Sequence, residues 1–256
     1  VSSENHAEFK LSITKALGDQ LAAALEELTP APLTMENIRA LRSSPGVYQL
    51  YKDGDLVYVG KADRSLPQRI EKHYRKISGR TNILLAQMTF TCLYVDEDFG
   101  AVAPERLLIN QHRGEGKVPW NYNGFGNNDP GKRRDTTEVD EGHFDHDHPI
   151  DLEYKLTGLS AERSPGASLA SLLQAVKLQL PYVFRYQSSV DFDGISIELP
   201  IGDLTADEVL RVVAQRLPEA WQITALPGYL IMYPKIEDYP SARRCYRSTG
   251  VVDILR

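Results

Sequence analysis

Two glycine-flanked tyrosine triplets, Gly46-Val47-Tyr48 and Tyr58-Val59-Gly60, stand on either side of Asp53-Gly54. An Asp-Gly pair tolerates the positive φ that a tight turn between antiparallel strands requires. The spacing therefore predicts a hairpin with strands over 46–51 and 56–59. Leu66, Ile70, Tyr74 and Ile77 then recur at helical spacing, which predicts a helix over 66–77 with those four on its buried stripe. A third strand is expected over 88–95, and Pro104 suits the first position of a helix running to about residue 112. The segment reads β-β-α-β-α.

Flanking segments have a different character. Leu11, Ile13, Leu17, Leu21, Ala24, Leu25 and Leu28 predict a helix over 8–28, stopped at Thr29-Pro30-Ala31-Pro32. Thr34 begins a shorter helix over 35–41. Residues 1–42 form a helical arm suited to bracing the fold, clamping DNA or building a dimer. From 120 to 134 the chain turns to Asn, Gly, Asp and Pro, a loop composition. Residues 135–150 are acidic and read as a linker or an ordered wrap closing a domain over 43–150.

Beyond it, apolar patterns over 172–180 and 209–217 predict two helices that superpose with a shift of 37 residues. Strands are expected at 152–156, 182–186, 195–199, 221–226 and 229–233. The order β-α-β-β-α-β-β over 151–256 describes a small α+β domain with its helices on one face of a sheet. The fold class is α+β throughout.

No apolar run approaches the roughly 18–20 residues of a membrane span, and Val1–His6 lack the basic-then-apolar pattern of a secretion signal. A cytoplasmic protein with no membrane partner is expected. Cys92 and Cys245 have no ligand-like spacing and read as buried thiols. The formal net charge of −6 argues against nucleic acid until charge placement is considered. Lys61, Arg64, Arg69, Lys72, Arg75, Lys76 and Arg80 stand against only Asp63 and Glu71 within one segment, and Lys132-Arg133-Arg134 adds a second basic cluster. A basic helix alone is most simply a solvated face. Beside a phosphate-binding arginine it becomes a surface for DNA.

Cleaving a phosphodiester requires an activated water, a cation on the phosphate and relief for the leaving oxygen. Tyr48 lies beside a glycine that lets backbone approach a ligand, and its phenol has to be tuned from about 10 to act as a base. Arg69 and His73, four apart on one helix, share a face. The arginine suits a phosphate in fork geometry, and the histidine suits a proton from the tyrosine. Glu105 stands in the first turn after Pro104, where the helix dipole favours the carboxylate. A lone acid of this kind suits one hard cation, Mg2+. The Asn121 amide could orient a phosphate or a metal-bound water, with Trp120 anchoring its loop. His143, His146 and His148 lie in an acidic stretch without cysteines, which disfavours a zinc site.

Tyr48, Tyr58, Arg69, Glu105 and Asn121, in this order, resemble the GIY-YIG nucleases, with valine at both isoleucine positions of the triplets. Arg69-x-x-x-His73, the run from Trp120 to Lys132 containing Gly124-Phe125-Gly126-Asn127-Asn128-Asp129-Pro130-Gly131-Lys132, and His148-Pro149 resemble the branch of restriction endonucleases that cuts a GC-rich palindrome. The resemblance covers about residues 40–150. It implies Mg2+-dependent hydrolysis of double-stranded DNA, with Mn2+ as a substitute. Tyr48 with His73 would activate water, Arg69 would hold the phosphate, Glu105 would hold the metal and Tyr58 would shape the pocket. Lys61, Arg64, Lys72, Arg75, Lys76, Asn127, Asn128, Lys132, Arg133 and Arg134 are the expected DNA contacts. A homodimer, at least on DNA, is expected for cutting both strands of a palindrome. Two other readings are a nuclease toxin or anti-phage effector that uses residues 151–256 to sense a partner, and a catalytically silent DNA-binding protein.

Overall fold

The computed structural model describes residues 13–95, 108–109, 118–127, 131–159 and 168–254. The fold is α+β, and the chain divides into two compact units: Val1–Lys72 with Ala86–Tyr122, and His73–Leu85 with Asn123–Arg256. Residues 123–150, grouped from sequence with the tyrosine triplets, fall in the second unit.

In the first unit, α1 (Ile13–Glu26) is followed by a two-residue strand, β1 (Ala31–Pro32), and α2 (Met35–Arg39). Thr34 caps α2 by accepting a hydrogen bond from the Asn37 amide. The hairpin is β2 (Gly46–Lys52) and β3 (Asp55–Ala62), and its turn has φ of 52° at Asp53 and 91° at Gly54. Both signs are those of the primed turn whose twist matches paired strands. Next come α3 (Leu66–Ser78) and β4 (Met88–Tyr94). The antiparallel sheet has the order β1-β4-β2-β3. Residues 29–32 read from sequence only as a helix stop, yet Ala31–Pro32 pair with Thr89 and Phe90. Proline is tolerated there because β1 is an edge strand. Leu21, Leu25, Val47, Val59, Leu108 and Val118 form the core. Of the expected helix 104–112, only Leu108 and Ile109 are described, and they are helical; residues 104–107 and 110–112 lie outside the described residues, as do 8–12 of the first expected helix.

The second unit begins with the last turns of α3. It contains α4 (Phe144–Asp147), β5 (Lys155–Leu156), α5 (Leu169–Gln179), β6 (Phe184–Tyr186), β7 (Leu204–Thr205), α6 (Ala206–Arg216), β8 (Gln222–Ala225), β9 (Leu230–Tyr233), β10 (Arg244–Arg247) and β11 (Gly250–Asp253). Its main sheet has the order β11-β10-β8-β9-β6, antiparallel except for the β6–β9 pair. Thr205 and Glu208 form a reciprocal capping box at the start of α6. Leu172, Leu173, Val176, Val209, Leu210 and Val213 of the two helices join Ile223, Leu230, Met232 and Tyr246 of the sheet in one core.

One expectation fails here. Residues 195–199 form no strand: Ile197 and Leu199 are buried in alternation, but the segment makes only an isolated bridge, Ser168 to Ser196. Alternation reports an extended chain with one buried side, not a neighbour for its backbone. Conversely, β10 and β11 carried no sequence signal, because β10 has only Cys245 and Tyr246 buried between two arginines and β11 is largely exposed. Residues 135–150 are the ordered wrap rather than a solvated linker, with Asp135, Phe144 and Asp145 all buried. Among the described residues no helix is long and apolar enough to cross a membrane.

Candidate active site

The register of the hairpin builds the centre of the first unit. Tyr48 stands opposite Gly60 on β3 and Cys92 on β4. A Cβ at residue 60 would overlap the Tyr48 ring and hydroxyl, so the glycine of the second triplet clears space for the tyrosine of the first. Gly46 does the same elsewhere, since a Cβ there would meet the Leu93 carbonyl and the Leu66 side chain. Tyr48 is fully buried and Tyr58 nearly so, their ring centroids 6.1 Å apart with planes tilted by 43°.

Arg69 reaches this pair from α3 and donates from Nε to the Tyr48 hydroxyl oxygen at 3.2 Å. Burial pulls its guanidinium pKa down, but the charge and hydrogen-bonding interactions with Tyr48 and Tyr58 outweigh this and hold it above the ordinary value. A permanently charged fork is thus fixed against two phenols. Such an arrangement can hold a phosphate and steady charge on a phenol oxygen.

Asn121 enters from the other side of the hairpin. Its amide nitrogen donates to the Val59 carbonyl at 2.8 Å, and its amide oxygen accepts from the Val59 amide at 2.9 Å. The side chain therefore acts as one residue of an added strand on β3, the edge of the sheet. Val118, left-handed with φ of 63° and fully buried, turns the chain into the short 3-10 segment Pro119–Asn121 that delivers it. That conformation is uncommon for a β-branched residue. The nearly buried Trp120 anchors the segment. Asn121 thus has a structural task with no local signature in the sequence.

Tyr48, Tyr58, Arg69 and Asn121 are brought together in the first unit. Glu105 and Asn128 lie outside the described residues. His73 is the first residue of the second unit, buried, with its ring stacked on Phe125 at 4.9 Å. Among the described residues no group of three or more His, Cys, Asp or Glu could hold a metal. Cys92 and Cys245 are free thiols, and burial pushes Cys92 up to about 12.

The expected DNA contacts fall into two sets. On the first unit Lys61, paired with Asp63 at 2.9 Å, lies at the surface with the exposed Arg64 and Lys72. Within the second unit several are engaged in packing. Arg75 donates to the carbonyls of Leu178 and Leu180, neutralising the C-terminal end of α5. Lys76 donates to the Phe125 carbonyl at 2.8 Å and lies over the Phe125 and Phe144 rings. Arg134 pairs with buried Asp145. Lys132 lies over the Tyr233 ring at 4.8 Å, Asn127 lines a cleft, and Arg133 is exposed.

Sequence reading missed the buried ion pairs of the second unit. Arg80 meets Asp145 at 2.9 Å and donates to the carbonyls of His148 and Pro227. Asp135 accepts from the Tyr229 and Tyr233 hydroxyls and from Arg185. In sequence these acids are two of many in an acidic stretch, and nothing local marks them as buried.

The fold and site define a small α+β core with a tyrosine–arginine centre. Residues 44–116 match the UvrC-like GIY-YIG domain, and this match supports a nuclease acting on DNA. No curated protein matches the chain.

Proposed function

We propose that the chain is a metal-dependent, sequence-specific endonuclease of double-stranded DNA, similar in type to the restriction enzymes that cut a palindrome. The observation that carries the nuclease centre is the hydrogen bond from Arg69 to the buried Tyr48 oxygen, inside the segment that matches a nuclease domain.

Tyr48 orients the attacking water and takes its proton, with His73 the proposed acceptor of the tyrosine's own proton. Arg69 steadies the phenolate left when Tyr48 gives up its own proton and meets the negative charge that grows on the phosphate as the bond to water forms. Tyr58 closes the pocket, and Asn121 holds β3 in place. Lys61, Arg64 and Lys72 supply phosphate contacts around the centre. Glu105 is the proposed ligand that would hold one Mg2+, replaceable by Mn2+, and the bound ion would offset charge on the leaving 3′ oxygen. Cutting both strands of a palindrome calls for two copies related by a two-fold axis.

The test is cleavage of unmethylated plasmid DNA in Mg2+, with Glu105→Ala and an EDTA control alongside. Discrete fragments from wild type alone support the full reading, and their ends map the site. A smear from wild type alone keeps the nuclease and moves its role to an effector or toxin. No cutting in any metal overturns the enzyme and leaves a DNA-binding protein.

A further inference from the structure

We infer that the second unit carries a phosphate-binding cleft anchored on Arg80, Arg134 and Lys76. The cleft has a volume of about 260 Å3, and all its lining residues belong to that unit. Its polar wall is Lys76, Arg80, Arg134 and Asp145, and its apolar wall is Pro181, Tyr182 and Tyr229 among others.

Among the described lining residues, Lys76, Arg80 and Arg134 stand with the carboxylate of Asp145, in a chain whose formal charge is −6. Asp145 is shared between Arg80 and Arg134 and cannot neutralise both. Arg80 is more than nine-tenths buried, and its Nε has no hydrogen-bond partner among the described residues. Burial and the nearby Arg134 hold its guanidinium below the ordinary value despite Asp145. The His143 ring is held below its ordinary value by its own burial and by Arg134, Lys76 and Arg80, against the opposing pull of Asp145. Like charges gathered in a poorly solvated cleft are unfavourable unless a further anion joins them. A phosphate group matches a guanidinium in charge and geometry, and Nε is the donor that Arg80 has left once its terminal nitrogens are taken by Asp145, His148, Pro227 and Gly228. The neighbouring tyrosine and proline surfaces suit the sugar or base attached to it. The phosphate could belong to a DNA backbone or to a free nucleotide. This site shares no residue with the Tyr48–Arg69 centre, so its standing does not depend on cleavage.

The experiment titrates inorganic phosphate, a 5′-mononucleotide and a short duplex in EDTA into the full chain, read by isothermal titration calorimetry. Arg134→Gln and Lys76→Gln are compared with wild type after circular dichroism shows that each is folded. Saturable phosphate binding by wild type, weakened about tenfold or more in a folded variant, is expected. If the variants weaken the duplex in parallel with phosphate, the source is DNA. If they weaken the mononucleotide and spare the duplex, it is a free nucleotide. Absence of saturable phosphate binding by wild type, or equal binding by both folded variants, overturns the site.

Discussion

At the scale of single residues, the centre depends on one absent side chain as much as on those present. Gly60 gives up its Cβ so that the Tyr48 ring can lie across β3. Gly60→Ala forces the ring or the strand to move, and overpacking of this kind costs about 1–3 kcal/mol. A urea melt of the variant should show that loss, together with loss of cleavage. Tyr48→Phe separates chemistry from packing, because the ring stays and only the hydroxyl that accepts from Arg69 is lost. Cleavage should fall about 10²–10⁴-fold, the span expected when a proton-transfer group is removed, while stability falls by only the loss of that hydrogen bond, about 1–3 kcal/mol, and the variant stays folded. Cleavage at the wild-type rate by Tyr48→Phe would remove the tyrosine from the mechanism. The tyrosine triplets and Arg69 were legible in the sequence because residue type and order carry them. The task of Asn121 was not, since pairing with a backbone 62 positions away leaves no local trace.

At the scale of elements, Asn121 finishes an edge. β3 ends the sheet, and the Asn121 amide satisfies both the N–H and the C=O of buried Val59. Asn121→Ala strands both groups, at a cost of about 1–3 kcal/mol. Hydrogen exchange at the Val59 amide should accelerate in this variant, and unchanged protection there would refute the staple. In the second unit, the α6 capping box joins Thr205 and Glu208 reciprocally, so Thr205→Ala should cost about 1 kcal/mol in denaturant unfolding. Helix α3 was predicted nearly to its ends because its apolar stripe repeats over three turns. β10 and β11 went unread because β10 holds only two buried residues between arginines and β11 is largely exposed, so neither shows an apolar run like that of β9.

At the scale of the whole molecule, stability is expected to respond to acid through the second unit. Asp145 is buried, which raises its pKa, but Arg80, Lys76 and Arg134 more than offset this and hold it below the usual carboxylate value. The unfolded chain therefore binds this proton more readily than the folded one. The stabilisation is present above the unfolded value near 3.9 and is lost as pH falls below it. His143, also held low, takes up its proton more readily when unfolded, so its share begins to fade below about pH 6.5. The melting temperature should drop through this acid range, and Asp145→Asn should flatten the carboxylate part of the drop while lowering stability at neutral pH. A profile for Asp145→Asn parallel to wild type would exclude that residue as a source.

What the sequence by itself determined is local: a hairpin from an Asp-Gly turn between two glycine-flanked tyrosine triplets, a helix from its stripe, and a candidate centre from residue types in order. These follow from interactions within a few residues, which period and turn chemistry report directly. Tertiary structure alone decided that residues 123–150 join the second unit, that Asp135 and Asp145 lie buried against arginines from distant segments, and that Ile195–Leu199 find no strand to pair with. Each depends on which surfaces meet across long stretches of chain, and a charge or an apolar residue looks the same in sequence whether its partner is water or an arginine far along the chain.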